Sequence, residues 1–196
     1  LSFVSLPTSN LNKNAFINFQ LIKEEIKEII DRAAKESQTD IKSIYLNVPL
    51  SGSSSFFYNS EIKIENELIN ELHLNKAINK SLYFDHSIKQ EILMNYIINY
   101  EIDGKIILGN PVGNFANKLN LNFYKLSVDK NIINTYKNLF YELKIHIAHL
   151  VPTPLASALA TLNNDDQDLG SICIDLGEAT TSLAVFEKKK LIFCDS

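Results

Sequence analysis

The clearest periodic pattern in the chain lies between residues 21 and 36, where apolar positions recur every three or four residues. This spacing places the apolar side chains along one side of a helix, with polar side chains on the other. Oppositely charged residues four apart, Glu28 with Arg32 and Asp31 with Lys35, add favourable pairs on the polar side. The pattern therefore predicts a surface helix that packs one face against a core.

Between residues 41 and 121 apolar and polar residues alternate, as is typical of half-buried strands. The predicted elements are strands at 41–50, 60–64, 90–101 and from 105, a loop at 51–55, and a helix at 67–80 capped by Asn66. Asp103-Gly104 predicts a hairpin turn. The aromatic residues at 56–58 fit either an exposed contact or a strand edge. We expect a small α+β unit with one or two helices on a mainly antiparallel sheet.

The last third of the chain predicts strands and helices in alternation, followed by three consecutive strands. The order is a strand at 121–128, a helix at 131–143, a strand at 145–151, a short helix at 153–162, a polar turn at 163–168 and the strands SICIDL, TSLAVFEK and LIFCDS. These alternating strands and helices follow the α+β unit along the chain.

Composition narrows the class of protein. The chain has 196 residues, 45% of them hydrophobic and 21% charged, which fits one large or two small globular domains and excludes a disordered tail or a collagen-like repeat. No run of 18 apolar residues and no signal peptide is recognisable. A net charge of −4 argues against a nucleic-acid-binding surface. Because the chain begins with Leu1 and its last residues resemble an unfinished strand, we expect it to be part of a longer protein.

Three groups of residues carry reactive or metal-binding side chains, but their patterns favour structural roles. Cys173 and Cys194 predict two buried, reduced thiols in a cytosolic protein. His146 and His149 lie three apart on a predicted strand, so we expect them on opposite faces, where they cannot share a metal ion. The acidic residues within 163–168 predict a solvated turn.

The shortest segment that combines several potential ligand-binding residues is ICIDLGEATTSLAVF at 172–186. A buried strand ends in Asp175, a connection with Gly177, Thr180 and Thr181 follows, and a second strand begins. Glycine lets backbone N–H groups approach a phosphate, threonine hydroxyls donate to phosphate oxygens, and a carboxylate can position Mg²⁺. The residues fit either an ordinary hairpin with a polar turn or a phosphate site.

A longer segment around this signal, PLASALATLNNDDQDLGSICIDLGEATTSLAVF at 154–186, resembles the bacterial cell-division actin homologue FtsA. NPVGNFANKL at 110–119 and IKEEIKEIIDRAAKES in the first helix resemble the family in the same order along the chain. The matching residues are Leu155 to Ala160 in a helix, the Leu169-Gly170 pair, Asp175, Gly177, Thr180 and Thr181 in a phosphate loop, and Pro111, Gly113 and Leu119 upstream.

The resemblance implies an α/β fold with an α+β insert: an actin-like, ribonuclease-H-type lobe interrupted by a small SHS2-like α+β subdomain, within the N-terminal half of the family's fold. On this basis residues 1–38 end subdomain 1A, 41–121 form subdomain 1C, 122–167 return to 1A and cross between lobes, and 168–196 begin subdomain 2A.

The resemblance also implies a function. Such a protein binds ATP and Mg²⁺ between two lobes, polymerises, and tethers FtsZ filaments to the cytoplasmic face of the inner membrane at the division site. Subdomain 1C supplies a self-assembly contact and a docking surface for later division proteins, and a C-terminal helix beyond residue 196 binds the membrane. ATP acts mainly as a conformational ligand, at most slowly hydrolysed, and no catalytic residue is assigned.

By the same resemblance, Gly177, Thr180 and Thr181 bind ATP phosphate and Asp175 positions Mg²⁺. Glu178 and Ala179 stand where the family's loop has glycines, so a member that no longer binds nucleotide is one alternative. A cytoplasmic scaffold of a type IV pilus machine, which shares the fold, is another. An active phosphotransfer enzyme would need a catalytic base, and the sequence shows none.

Overall fold

The computed structural model describes residues 3–8, 11–12, 15–50, 52–82, 89–107, 109–177 and 180–196. Within these ranges the strands are β1 (Leu11–Asn12), β2 (Ala15–Phe16), β3 (Ser43–Val48), β4 (Ser54–Leu68), β5 (Gln90–Ile102), β6 (Lys105–Ile107), β7 (Phe115–Asp129), β8 (His146–Pro152), β9 (Ser171–Leu176), β10 (Thr181–Glu187) and β11 (Lys190–Asp195). The helices are α1 (Phe19–Ser37), α2 (Glu71–Leu82), α3 (Lys130–Glu142), α4 (Thr153–Thr161) and α5 (Asn164–Leu169).

Helix α1 confirms the helix predicted from apolar periodicity and begins two residues earlier. Its start is set by Asn18, whose side chain accepts hydrogen bonds from the backbone N–H groups of Gln20 and Leu21. The predicted pair of Arg32 and Glu28 is present on the exposed face. The buried side packs against α3 in a cluster formed by Ile22, Tyr136, Leu139 and Phe140.

The largest sheet is antiparallel, with strand order β4-β7-β5-β6. Strands β4 and β7 have 15 residues each and pair along most of their length. Helix α2 packs on one face, where the buried core includes Tyr58, Ile62, Leu74 and Phe123. The sheet confirms the predicted α+β character of this region. Its central strand β7 continues past residue 121, the limit assigned to subdomain 1C.

Strand β4 corrects the predicted loop and the predicted helix cap, and it supports the strand-edge alternative for the aromatic residues. Residues 54 and 55, predicted as loop, and the aromatic residues at 56–58 belong to this edge strand, which continues to Leu68. Asn66 is not a helix cap, because it lies inside the strand at a register shift with a left-handed φ of 61°. Helix α2 begins later, and the Asn70 side chain accepts a 3.0 Å hydrogen bond from the His73 N–H.

Two smaller sheets surround α4. Strands β3 and β8 pair in parallel, and β9, β10 and β11 form an antiparallel sheet with order β11-β10-β9. Helix α4 connects β8 to the segment that leads into β9. The register of β3 and β8 shifts between Ile44 and Tyr45, so one residue of β8 is left unpaired there.

This bulge makes the prediction for the two histidines wrong. His146 lies opposite Ser43 and His149 opposite Tyr45, so both histidines lie on the same exposed face of the sheet. The His149 ring stacks on Tyr45 with 4.9 Å between ring centroids. Among the described residues, no group of three or more histidine, cysteine, aspartate or glutamate side chains could hold a metal ion.

Tyrosine hydroxyls join the large sheet to β11. Tyr124 is fully buried; its hydroxyl donates to the Cys194 carbonyl at 2.8 Å and accepts from the Cys194 N–H at 2.9 Å. The Tyr96 hydroxyl donates to the Leu191 carbonyl. Burial raises the pKa of both tyrosines and raises the pKa of the Cys194 thiol to about 11. Cys194 is thus the buried thiol that was predicted, whereas Cys173 is only partly buried.

No helix in the described part of the chain is long and apolar enough to span a membrane.

Candidate functional site

All four residues predicted to contact nucleotide lie in the β9–β10 hairpin. Asp175 is the penultimate residue of β9, Thr181 is the first of β10, and Gly177 and Thr180 lie in the connection between the strands. Leu176 pairs with Thr181, and Asp175 pairs with Ser182. The antiparallel register therefore brings these residues to one end of the hairpin.

Side chains alternate along β9 between two environments. Cys173 and Asp175 are partly buried on the side that faces α4, whereas Ile174 and Leu176 are exposed on the other side. Thr180 and Thr181 are also exposed, so their hydroxyls are accessible to a ligand. The strand end therefore presents the Asp175 carboxylate on the side of α4 and, because Thr181 pairs with Leu176, the Thr181 hydroxyl on the opposite face of the hairpin.

Gly177 shapes this strand end by close backbone packing. Its N–H donates to the Thr180 carbonyl at 3.0 Å, which holds residues 177 and 180 close together. A Cβ at position 177 would lie 3.0 Å from the same carbonyl oxygen, closer than side chains normally approach. A side chain at this position would require the Thr180 backbone to shift by a few tenths of an ångström. Glu178 and Ala179, the residues that depart from the family's glycines, lie outside the described residues.

The Asp175 carboxylate is tied to α4. The Ser157 hydroxyl donates to Asp175 Oδ2 at 2.7 Å, across 18 residues of sequence. One turn further along the helix, Thr161 Oγ1 lies 3.5 Å from Cys173 Sγ, the next inward-facing side chain on β9. Helix α4 therefore lies alongside β9, and the Ser157 side chain contacts the candidate site. The sequence showed Ser157 only as part of a matching helix and assigned it no role.

The donor groups present fit a magnesium-bound phosphate. Mg²⁺ prefers oxygen ligands and binds proteins through one or two carboxylates, which Asp175 can supply. Threonine hydroxyls and backbone amides are suitable donors to phosphate oxygens. Because the Gly177 N–H is used inside the connection, this residue contributes through shape.

The acidic segment before β9 is structural. Residues 164–169 form α5 instead of the predicted turn. Asn163 and Asp166 form a capping box. The Asn163 side chain accepts a hydrogen bond from the Asp166 backbone N–H, and the Asp166 side chain accepts one from the Asn163 backbone N–H. Asp168 lies 4.0 Å from Lys189. These interactions of Asp166 and Asp168 hold the segment that leads into β9 in place.

A second concave feature lies along β8. It is a groove of about 520 Å³ lined by residues 145–150, by Ile92 and Leu93 at the start of β5, and by Lys137 and Tyr141 of α3. Among the described strands β8 pairs only with β3, so its other edge carries unpaired backbone groups. A sheet edge beside a groove can accept an extended peptide as an added strand.

Comparison of the fold with solved structures defines its class. A structure described as the PilM-PilN type IV pilus biogenesis complex superposes on 96% of this chain and 51% of that chain, with a TM-score of 0.58 and 13% identity. At this identity the likeness concerns the fold alone. The predicted actin-like α/β fold with an α+β insert is therefore confirmed.

Comparison with curated sequences identifies the relatives. The chain is 27% identical over 190 residues to the cell division protein FtsA of Rhizobium meliloti, covering 94% of this chain and 42% of that protein. It is 27% identical to FtsA of Agrobacterium fabrum, covering 87% and 39%, and 22% identical to FtsA of Neisseria meningitidis, covering 92% and 44%. No protein-family model matches the chain.

These similarities confirm the resemblance to FtsA that the sequence motifs indicated. The chain is similar to actin-like cell-division proteins over nearly its whole length, and it spans about 42% of the length of the Rhizobium meliloti relative.

Proposed function

We propose that the protein acts in bacterial cell division, where it binds ATP between two lobes, polymerises, and tethers FtsZ filaments to the inner membrane. The observation that carries this proposal is the similarity to FtsA, which extends in order over 94% of the chain. The hairpin that holds Asp175, Gly177, Thr180 and Thr181 supports it, because its groups suit a phosphate and a divalent cation.

In the proposed site this chain's residues bind and orient the nucleotide. Thr180 and Thr181 donate hydroxyl hydrogen bonds to phosphate oxygens, Gly177 keeps the connection narrow, and the Asp175 carboxylate holds Mg²⁺ or one of its waters. Mg²⁺ neutralises phosphate charge when it is bound. ATP then favours one relative orientation of the lobes, as expected for a conformational ligand. Hydrolysis is at most slow.

The remaining parts of the chain have proposed roles that follow the family's domain order. Residues 1–38 and 122–167 belong to subdomain 1A, 168–196 begin subdomain 2A, and 41–121 form subdomain 1C, which contributes to the polymer and to docking of later division proteins. The protein is proposed to function at the cytoplasmic face of the membrane at the division site.

Addition of Mg²⁺ and ATP is expected to raise the unfolding temperature of the full-length protein. A ligand that binds only the folded state stabilises it by about 2.7 kcal/mol at about 100 times its Kd. This corresponds to a rise of a few °C in the unfolding temperature, and the rise is smaller the longer the protein is. Thermal unfolding followed by calorimetry measures the shift, with Mg²⁺ alone as the control. An unchanged unfolding temperature would favour a relative of FtsA that has lost nucleotide binding.

A second candidate is a cytoplasmic scaffold of a type IV pilus machine, favoured by the fold similarity to the PilM-PilN complex. Such a protein would share the nucleotide site and would dock the tail of a membrane protein instead of FtsZ. The two candidates differ in where the protein resides in the cell and in whether that position depends on FtsZ.

A further inference from the structure

Helix α4 is attached to two different sheets. At its start the Thr153 hydroxyl donates to the Val48 carbonyl at the end of β3, at 3.1 Å. In its middle Ala158 is fully buried in the core that also contains Ala184 and Phe186 of β10. The helix therefore has a defined position relative to both β3 and the β9–β10 hairpin, and its side chains are held at fixed places along β9.

The two hydroxyl side chains on the β9 side of α4 make different contacts. Thr161 donates to the Ser157 carbonyl at 2.9 Å, one turn earlier, which is a common local bond for a hydroxyl in a helix. Ser157 instead donates across the interface to Asp175 Oδ2 at 2.7 Å. This bond is short and its acceptor is a carboxylate, the combination that makes hydrogen bonds strong.

We propose that Ser157 is a positioning residue for Mg²⁺-dependent nucleotide binding, because it holds the Asp175 carboxylate in one orientation. This inference rests on the proposed ATP site. A carboxylate at a strand end can rotate about its side-chain bonds, and each rotation moves its oxygens relative to a cation. With Oδ2 engaged by Ser157, the second oxygen is left for the cation or its water. Groups that orient a metal-binding carboxylate typically influence metal affinity as much as 10- to 100-fold.

The test compares the ATP affinity of the full-length protein in Mg²⁺ with its affinity in EDTA, measured by isothermal titration calorimetry. The ratio of the two affinities reports the contribution of Mg²⁺ alone. Ser157→Ala is expected to reduce this ratio about tenfold, with little change of the affinity in EDTA. Ser157→Thr, which keeps a hydroxyl, is expected to restore most of the ratio. Thr161→Ala is the matched control on the same helix and is expected to leave the ratio unchanged.

A role in helix packing would give a different result. If Ser157→Ala weakens ATP binding equally in Mg²⁺ and in EDTA, the residue is structural and the inference is overturned. Wild-type protein that binds ATP no better with Mg²⁺ than with EDTA would overturn this inference and the assignment of Mg²⁺ to the site. Wild-type protein that binds no ATP would overturn the proposed nucleotide function as well, so the two failures are distinguishable.

A second pair of variants tests whether Ser157 acts through Asp175. Asp175→Asn keeps the size of the side chain and removes its charge, so by itself it is expected to lower the ratio of the ATP affinity in Mg²⁺ to the affinity in EDTA. When Ser157→Ala is added to Asp175→Asn, no further decrease of the ratio is expected. A further decrease equal to that in the wild-type background would show that Ser157 acts independently of Asp175 and would overturn the proposal.

Discussion

Gly177→Val is expected to weaken ATP binding by the full-length protein by about 10- to 100-fold, which corresponds to the loss of about one hydrogen bond to a charged group. The structural reason is the distance of 3.0 Å between a Cβ at position 177 and the Thr180 carbonyl oxygen. A valine must displace this backbone and widen the connection, which moves the hydroxyls of Thr180 and Thr181 away from a bound phosphate. Isothermal titration calorimetry with Mg²⁺ and ATP measures the change.

Ile172→Ala is the matched control for this variant. Ile172 lies in the same strand, is 65% exposed and pairs with Val185, away from the connection between β9 and β10. Its truncation is expected to leave the affinity within about twofold of wild type, because exposed positions without specific contacts contribute little. Wild-type affinity in Gly177→Val would remove this hairpin from the nucleotide site.

Tyr124→Phe is expected to lower the free energy of unfolding of the chain by about 2 to 3 kcal/mol, because loss of the hydroxyl leaves buried polar groups without hydrogen-bond partners. The substitution removes a hydroxyl that both donates to and accepts from the Cys194 backbone, at 2.8 and 2.9 Å. The Cys194 N–H and carbonyl would then be unsatisfied in a core from which water is excluded. Urea unfolding followed by circular dichroism measures the change.

Tyr141→Phe controls for the loss of a tyrosine hydroxyl as such. Tyr141 is 83% exposed, so its hydroxyl is solvated before and after unfolding and the expected change is below about 0.5 kcal/mol. Equal stabilities of the Tyr124→Phe and Tyr141→Phe variants would mean that the contact between β7 and β11 does not stabilise the chain.

Local patterns predicted the elements whose periodicity is uninterrupted. The apolar spacing at 21–36 predicted α1 within two residues of its start, and Asp103-Gly104 predicted the β5–β6 hairpin. The start of β4 was missed because serines at 51–55 indicate a loop, although pairing with β7 holds two of them in a strand. Asn66 has the residue type of a helix cap, but its position inside a bulged strand depends on tertiary pairing.

The candidate site was predicted in part. Asp175, Gly177 and the two threonines are adjacent in sequence, so a local pattern was sufficient to group them. The role of Ser157 was not visible, because its contact with Asp175 spans 18 residues and depends on how α4 packs against β9. The shared face of His146 and His149 depends on a bulge that no local pattern marked. The actin-like fold itself was predicted from the resemblance to FtsA and not from periodicity.

The position of the fluorescently tagged full-length protein in dividing cells tests the proposed function most directly. The account predicts a ring at mid-cell that disappears when FtsZ is depleted, because the protein would bind FtsZ filaments at the membrane. A diffuse or polar signal that does not change on FtsZ depletion would contradict the division role and would favour the pilus-type scaffold.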